Sequence, residues 1–250
     1  MFYPGKPGCD YDELLQAISK VADFFKSTYA NDNLIVFDRN LSFTDDPRFQ
    51  SAFDKAAGNN VQERSLMWRL HIAGWAGKQA QRLSGDFVEC GVFNGLTSYF
   101  LCEYLQFGKQ NRTFWLYDSF KGLDPETASE AELTSWDGVY TAVPTLADDV
   151  QKRFSRFNNV RIVQGWLPGT LQEASPTEIA FLHLDLNSVQ AEIQSLEYLY
   201  DRITPGGYIL LDDFGWTFNA PQMQAERAFF KQRKITVLEL PTGQGLVTKP

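Results

Sequence analysis

Asp86-Phe87-Val88-Glu89-Cys90-Gly91-Val92-Phe93-Asn94-Gly95 is the stretch on which the fold turns. A short β-type run ends in a segment bearing two glycines, and Thr97 and Ser98 follow as candidate caps for a helix that carries Tyr99, Leu101 and Leu105. Strand, tight turn and helix in that order open a βαβ unit, and Gly91 and Gly95 leave bare backbone at the turn for a ligand to approach. A purely structural turn recruits glycine as well, so this loop alone is a weak signal.

Downstream, short β-type runs alternate with helical ones, the pattern of a parallel sheet. The expected strands are Asp86 to Cys90, Thr113 to Asp118, Val160 to Gly165, Ile179 to Asp185 and Gly207 to Asp212. Ile235 to Glu239 and Gly245 to Thr248 are separated by a turn and are expected to pair antiparallel as a C-terminal hairpin. Upstream, the first 85 residues or so read as helical. Leu14, Leu15, Ile18, Val21, Ala22 and Phe25 recur at helical spacing between Tyr11 and Tyr29, which predicts one buried face. That face is expected to pack on its own domain or on a second subunit, which makes a homo-oligomer a candidate state. A second helix is expected around Glu63 to Leu83, with irregular chain and no site between Asn33 and Phe53. The division is a helical extension, 1–84, and an α/β domain of Rossmann-like architecture, 85–250.

The chain has 250 residues, a formal net charge of -8 and a 44% hydrophobic share, enough for one large domain with a full core. The charge repels a phosphate backbone, and no basic run is interleaved with aromatics, so nucleic acid is a poor partner. No stretch approaches the roughly 20 apolar residues of a membrane span, and the N-terminus lacks a signal-peptide pattern. Cys9, Cys90 and Cys102 form an odd set without zinc-type spacing, which fits reduced cytosolic thiols. A cytoplasmic protein is the expectation.

Three features carry chemistry. Glu89 offers a carboxylate beside the glycine turn, where a cationic ammonium is welcome and a pyrophosphate is not, which favours S-adenosylmethionine over a dinucleotide. Asp118 ends the second strand, where open α/β sheets bind ligands and where an acidic residue accepts hydrogen bonds from ribose hydroxyls. Asp185 and the doublet Asp212-Asp213 end adjacent strands. Gathering them costs on the order of 1 kcal/mol per close pair in water, and more where solvent is excluded, unless a cation sits between them. All-oxygen ligation points to Mg²⁺, with Mn²⁺ or Ca²⁺ as alternatives, and such an ion would stabilise an alkoxide nucleophile. The plainer reading is that Asp212 or Asp213 caps the following loop. Between Asp118 and Thr145 lies a long segment with Pro125, Trp136, Asp137, Gly138, Tyr140 and Pro144, which reads as an aromatic active-site lid. Trp166 follows a strand end and is expected in the adenine pocket, with Leu167 in the core.

These residues resemble the macrocin O-methyltransferase (TylF-type) family. The resemblance rests on Gly85 to Val92, on Asp118-Ser119-Phe120-Lys121-Gly122-Leu123, on Gly165-Trp166-Leu167-Pro168-Gly169-Thr170-Leu171, and on Pro205-Gly206-Gly207 followed by Asp212-Asp213. It implies a class I methyltransferase fold and methylation of a hydroxyl on a sugar or related natural product. By resemblance Glu89, Gly91, Gly95, Asp118, Ser119, Gly165, Trp166 and Asp185 surround S-adenosylmethionine, and Asp185, Asp212 and Asp213 hold magnesium. Asp185 and the position of Asn187 are catalytic in the same sense. The family carries Asp-x-Asp here, the second Asp being its proposed general base, whereas this chain reads Asp185-Leu186-Asn187. A neutral amide takes no proton. Metal activation, a base from elsewhere (Glu192, His71 or Asp137) and a cofactor-binding relative without the reaction are the open accounts. A nicotinamide-dependent oxidoreductase would use the same loop and Asp118, but the chain offers no persuasive Tyr-x-x-x-Lys proton relay and the three carboxylates would be idle.

Overall fold

The computed structural model describes residues 8, 10–136, 138–139 and 143–250, so that Cys9, Asp137 and Tyr140 lie outside the described residues. The chain begins with α1 (Tyr11–Ala22), capped by the Asp10 carboxylate, which accepts from the amides of Asp12 and Glu13. The helix is shorter than expected, and its apolar stripe is not buried: no α1 residue is buried against the described chain, and Phe24 just beyond it is 85% exposed. Instead of continuing as helix, the chain forms an antiparallel hairpin, β1 (Thr28–Asn31) and β2 (Leu34–Phe37). Asp32 and Asn33 make its two-residue turn with φ of 53° and 55°, the left-handed conformation that Asp and Asn tolerate best among residues with a side chain.

Three helices lead to the sheet: α2 (Pro47–Ala57), α3 (Val61–Ser65) and α4 (Met67–Ala80). Gly74 and Gly77 let α4 lie against α5 (Leu96–Tyr104). A Cβ on Gly74 would sit 2.9 Å from the Tyr104 ring, and one on Gly77 2.8 Å from Leu105.

The strands are β3 (Asp86–Cys90), β4 (Phe114–Asp118), β5 (Val160–Gln164), β6 (Ile179–Leu184), β7 (Ile203–Leu211), β8 (Leu238–Glu239) and β9 (Gly245–Thr248). Among the described residues they form one seven-stranded sheet, ordered β5-β4-β3-β6-β7-β9-β8. The first five are mutually parallel; β9 runs antiparallel to β7 and pairs antiparallel with β8, the expected hairpin. β6 is buried along its whole length, which is why Ile-Ala-Phe-Leu-His-Leu reads as a nearly continuous apolar run. Alternate residues feed two cores. Phe87 and Phe181 point to the face covered by α2, α4 and α5, while Val88, Cys90, Leu182 and Leu184 point to the face covered by α9 (Val189–Leu199) and α10 (Ala220–Gln232). Cys90 and Cys102 are buried free thiols.

Strand order reverses between β3 and β6. At such a point the loops leaving two neighbouring strands diverge and open a crevice at their carboxyl ends. There the structure has a cavity of about 400 Å³.

Candidate active site

One half of the cavity is built on β3, β4 and β5. Gly91 has φ +86°, and a Cβ there would collide with the backbone carbonyl of Asp185. Glycine is therefore required first by the close approach of the β3 and β6 loops. Gly95 caps α5 with φ +80°, and a Cβ on it would meet the Phe154 ring at 2.7 Å. Thr97 and Ser98 lie inside α5 and do not cap it; the Asn94 side chain does, accepting from the Leu96 amide at 3.1 Å. Asp118 clamps this loop. Its Oδ2 accepts from the amides of Val92 and Phe93, both at 2.7 Å, and its Oδ1 from the amide of Phe120 at 2.6 Å. A carboxylate accepts about four hydrogen bonds, so Oδ1 keeps room for one more donor. Ser119 closes the next turn, donating to the Gly122 carbonyl at 2.7 Å, and the Trp166 indole donates to the same carbonyl at 3.2 Å. Trp166 is 42% exposed on the cavity wall, while Leu167 behind it is core.

The other half is built on β6 and β7. Glu89, His183 and Asp212 form a row on one face of the sheet, since Glu89 and His183 are register partners. His183 Nδ1 lies 2.9 Å from Glu89 Oε1 and Nε2 lies 3.4 Å from Asp212 Oδ1. Burial by itself would push the imidazole down, but carboxylates at both ring nitrogens raise its pKa well above the ordinary value. Asp212 is the hub. Its Oδ1 also accepts from Gln244 Nε2 at 2.8 Å, and its Oδ2 accepts from Arg69 Nη1 at 2.5 Å. Burial opposes its ionisation, yet Arg69 and His183 hold it below the usual carboxylate range.

Arg69, in α4, bridges the two halves of the chain. Its Nε and Nη2 donate to the two oxygens of Asp32 at 2.8 and 3.2 Å, and Nη1 stands 3.7 Å from Asp213 Oδ1. The guanidinium lies over the Trp216 ring at 5.0 Å. Burial favours loss of its charge, but the three carboxylates raise its pKa further still. Asp213 accepts from Asn219 at 3.1 Å; burial first, then the Asp212 charge, push it up to about 7. Asp185 is raised well above its ordinary value by burial and by the charges of Asp212 and Asp213. Asn187 donates from Nδ2 to Asp185 Oδ1 at 3.1 Å, while its own Oδ1 is buried without a partner. Its φ of 55° is again the left-handed conformation.

The cavity brings together Gly91, Asp118, Ser119, Gly165, Trp166 and Asp185, together with Asn187, Asp212 and Asp213. Glu89 and Gly95 do not line it; Glu89 is 2% exposed and faces His183 inside the sheet. The expected magnesium site is not shown among the described residues. Both oxygens of Asp212 are engaged by an arginine, a glutamine and a histidine, and the cation beside Asp212 and Asp213 is Arg69. Among the described residues no three His, Cys, Asp or Glu side chains are arranged to hold a metal ion. The donor set as folded does not fit a divalent ion. Of the candidate bases, His71 is stacked on Phe43 at 4.1 Å away from the cavity, and Glu192 is wholly buried, accepting from the Leu186 amide at 3.2 Å.

Sequence reading missed Arg69, Asp32 and Gln244. A signal existed for Asp32: Asp-Asn between two β-type runs marks a two-residue hairpin. Of the long segment after Asp118, α6 (Glu130–Ser135) opens with a Ser129–Glu132 capping box, and Glu132 Oε1 accepts from the Val189 amide at 2.8 Å. Trp136 and Val139 line the cavity, and the Trp136 ring meets Phe218 at 6.4 Å.

A cavity at the switch point of a mostly parallel seven-stranded sheet that ends in an antiparallel hairpin is the architecture of class I methyltransferases. Solved methyltransferases share it: the O-methyltransferase NovP superposes with a TM-score of 0.65 at 20% identity, covering 96% of this chain and 99% of that one. The S-adenosylhomocysteine-bound Podospora anserina methyltransferase PaMTH1 superposes with a TM-score of 0.54 at 11% identity, covering 99% of this chain and 100% of that one. Residues 22–239 match the macrocin-O-methyltransferase (TylF) family, and the chain belongs to it. Among its curated relatives are a rhamnosyl-tetracenomycin-C 4'-O-methyltransferase of Streptomyces olivaceus, 33% identical over 54% of this chain and 55% of the relative, and the mycinamicin III 3''-O-methyltransferase of Micromonospora griseorubida, 31% identical over 52% and 55%. The chain spans about half the length of the curated relatives it matches. No helix among the described residues is long and apolar enough to cross a membrane.

Proposed function

We propose that this protein transfers a methyl group from S-adenosylmethionine to a hydroxyl of a glycosylated natural product, with residues 1–84 acting as an extension that helps to close the site of residues 85–250. The single observation that carries the reading is the cavity itself, in which five other residues expected around the cofactor meet Asp185 and Asn187. The bound cofactor supplies an activated sulfonium methyl. The cavity fits such a ligand, because its walls combine aromatic side chains with carboxylates.

The chain's own work is positioning. Asp118 clamps the β3 loop and offers its remaining lone pair to a ribose hydroxyl. Asn187 Oδ1, buried and without a partner, accepts a hydrogen bond from the acceptor hydroxyl. Asn187 Nδ2 meanwhile holds the Asp185 carboxylate, which receives the hydroxyl proton as oxygen attacks the methyl carbon. Burial and the charges of Asp212 and Asp213 raise the Asp185 pKa, which makes its ionised carboxylate a stronger base than a solvated one. One relative is named as the 4'-O-methyltransferase of a rhamnosyl-tetracenomycin, which supports a sugar hydroxyl as the acceptor. Self-association through the exposed stripe of α1 belongs to the same proposal, and a monomeric mass in light scattering removes that part of it.

The test is transfer of labelled methyl to a panel of deoxysugar glycosides with free hydroxyls. Transfer is expected, with Asp185→Asn lowering kcat on the order of 10²-fold while S-adenosylhomocysteine affinity stays. Absence of both transfer and cofactor affinity defeats the reading.

A further inference from the structure

The carboxylates at the ends of β6 and β7 need a positive charge, and the structure supplies one from its own sequence. Arg69 presents one edge of its guanidinium to Asp32, through Nε at 2.8 Å and Nη2 at 3.2 Å, and Nη1 to Asp212 at 2.5 Å. The pair with Asp32 is bidentate, the arrangement a planar fork makes and a bare point charge does not. The side chain is 12% exposed, and the Trp216 ring flanks it at 5.0 Å. A buried arginine held on three sides is expensive to move.

Two further carboxylate oxygens nearby have other donors. Asp212 Oδ1 is held by Gln244 and His183, and Asp213 Oδ2 by Asn219. Where a fourth carboxylate would add negative charge, the chain has Asn187, which spends its amide on Asp185. A dication prefers several oxygens with open lone pairs and expels guanidinium and amide donors from its first shell. Arg69, His183 and Gln244 reach the cluster from α4, β6 and the β8–β9 turn, three separate parts of the chain.

We infer that Arg69 stands permanently in the place of a divalent cation, so that this chain holds its acceptor-side carboxylates, and performs its chemistry, without a bound metal ion. The catalytic half of that statement rests on the methyltransferase reading; the ion-binding half does not.

The ion-binding half is measured without turnover. Full-length protein saturated with S-adenosylhomocysteine is titrated with Mn²⁺, and free Mn²⁺ is read from its electron paramagnetic resonance amplitude. Wild type is expected to leave the signal undiminished; uptake of one Mn²⁺ per chain that Asp212→Asn abolishes overturns the inference. Arg69→Met removes the resident charge while keeping much of the volume. If the variant retains its circular dichroism spectrum, it should take up Mn²⁺ on the order of 10²-fold more tightly than wild type, and adding Asp212→Asn should abolish that uptake. A folded Arg69→Met chain that ignores Mn²⁺ overturns the claim that a cation's place was vacated. If it does not fold, the wild-type titration decides alone. With an accepted glycoside in hand, EDTA should leave turnover within about twofold, whereas a loss that Mg²⁺ restores overturns the inference. Should no glycoside be methylated, the proposed function fails while the Mn²⁺ titrations still report on Arg69.

Discussion

Asp118 and Asp212 both stand at the carboxyl ends of parallel strands, line one cavity and are almost fully paired, yet they are satisfied by different means. Asp118 takes three backbone amides. Asp212 takes side chains: an arginine from α4, a histidine from β6 and a glutamine from the C-terminal turn. Amides are present whatever the residue, so the cofactor half depends on the path of the chain. The acceptor half depends on the identity of a few distant side chains, and this is the half in which family members can diverge while keeping the fold.

The largest effect should come from removing the guanidinium. Arg69→Met leaves Asp32 and Asp212 buried without their cation, and breaking a buried pair in this way costs about 3–5 kcal/mol. Urea unfolding at pH 7 measures it; a loss below about 1 kcal/mol would mean the cluster is solvated and the contrast with Asp118 is empty. Asp118→Ala comes next. Three amides lose their acceptor, with an expected cost of about 1–3 kcal/mol in stability and a fall of at least about tenfold in S-adenosylhomocysteine affinity by calorimetry. Unchanged affinity would break the assignment of this half to the cofactor.

The same contrast explains what could be read from the sequence. β3, β4, β6 and the carboxyl end of β7 were legible because burial on both faces leaves an apolar signature within each short run, and the less buried β5 and closing hairpin because of their β-type residues and turn. Asp118, Ser119 and Trp166 were legible because a strand end places its next residues at the crevice by geometry alone. Arg69 was not, since its partners lie 37 and 143 residues away and no local pattern pairs them. For α1 the signal was of another kind: periodicity shows that a face is apolar, not whether its own domain or a second subunit covers it. Magnesium is not shown: the charge balance that called for a cation is met, among the described residues, by the side chain of Arg69.

A milder effect should appear with pH. Beneath the acceptor half, Glu226 is buried with Glu192; burial and the Asp213 charge push it up to about 8, and Asp213 itself stands at about 7. Both folded-state values lie above those of the unfolded chain. Each carboxyl is protonated in both states below about pH 4 and contributes no penalty there, while above that pH the unfolded chain ionises first and folding must hold the proton. Stability from this source is therefore lost as pH rises toward 8, opposite to the behaviour of Asp212, whose depressed value favours folding above its unfolded pKa and fails only in acid. Glu226→Gln should flatten the fall in Tm between pH 6 and 8.5, leaving the variant roughly 3–6 °C above wild type at the upper end. A variant that tracks wild type across that range would show that the pair does not share a buried proton.

The smallest effect tests the cofactor half at its rim. Trp166 is half-exposed and anchored only by its indole donation to the Gly122 carbonyl at 3.2 Å, a carbonyl that Ser119 also engages. Trp166→Phe keeps an aromatic face on the cavity and removes that one hydrogen bond, whose net worth is about 0.5–1.5 kcal/mol. If the ring serves as a wall for the cofactor, S-adenosylhomocysteine affinity should fall by roughly three- to tenfold with no measurable change in unfolding, because the Gly122 turn keeps its Ser119 bond. A loss of stability without loss of affinity would instead make the indole a brace for the turn, and the Asp118 side of the cavity would then owe its shape to a side chain after all.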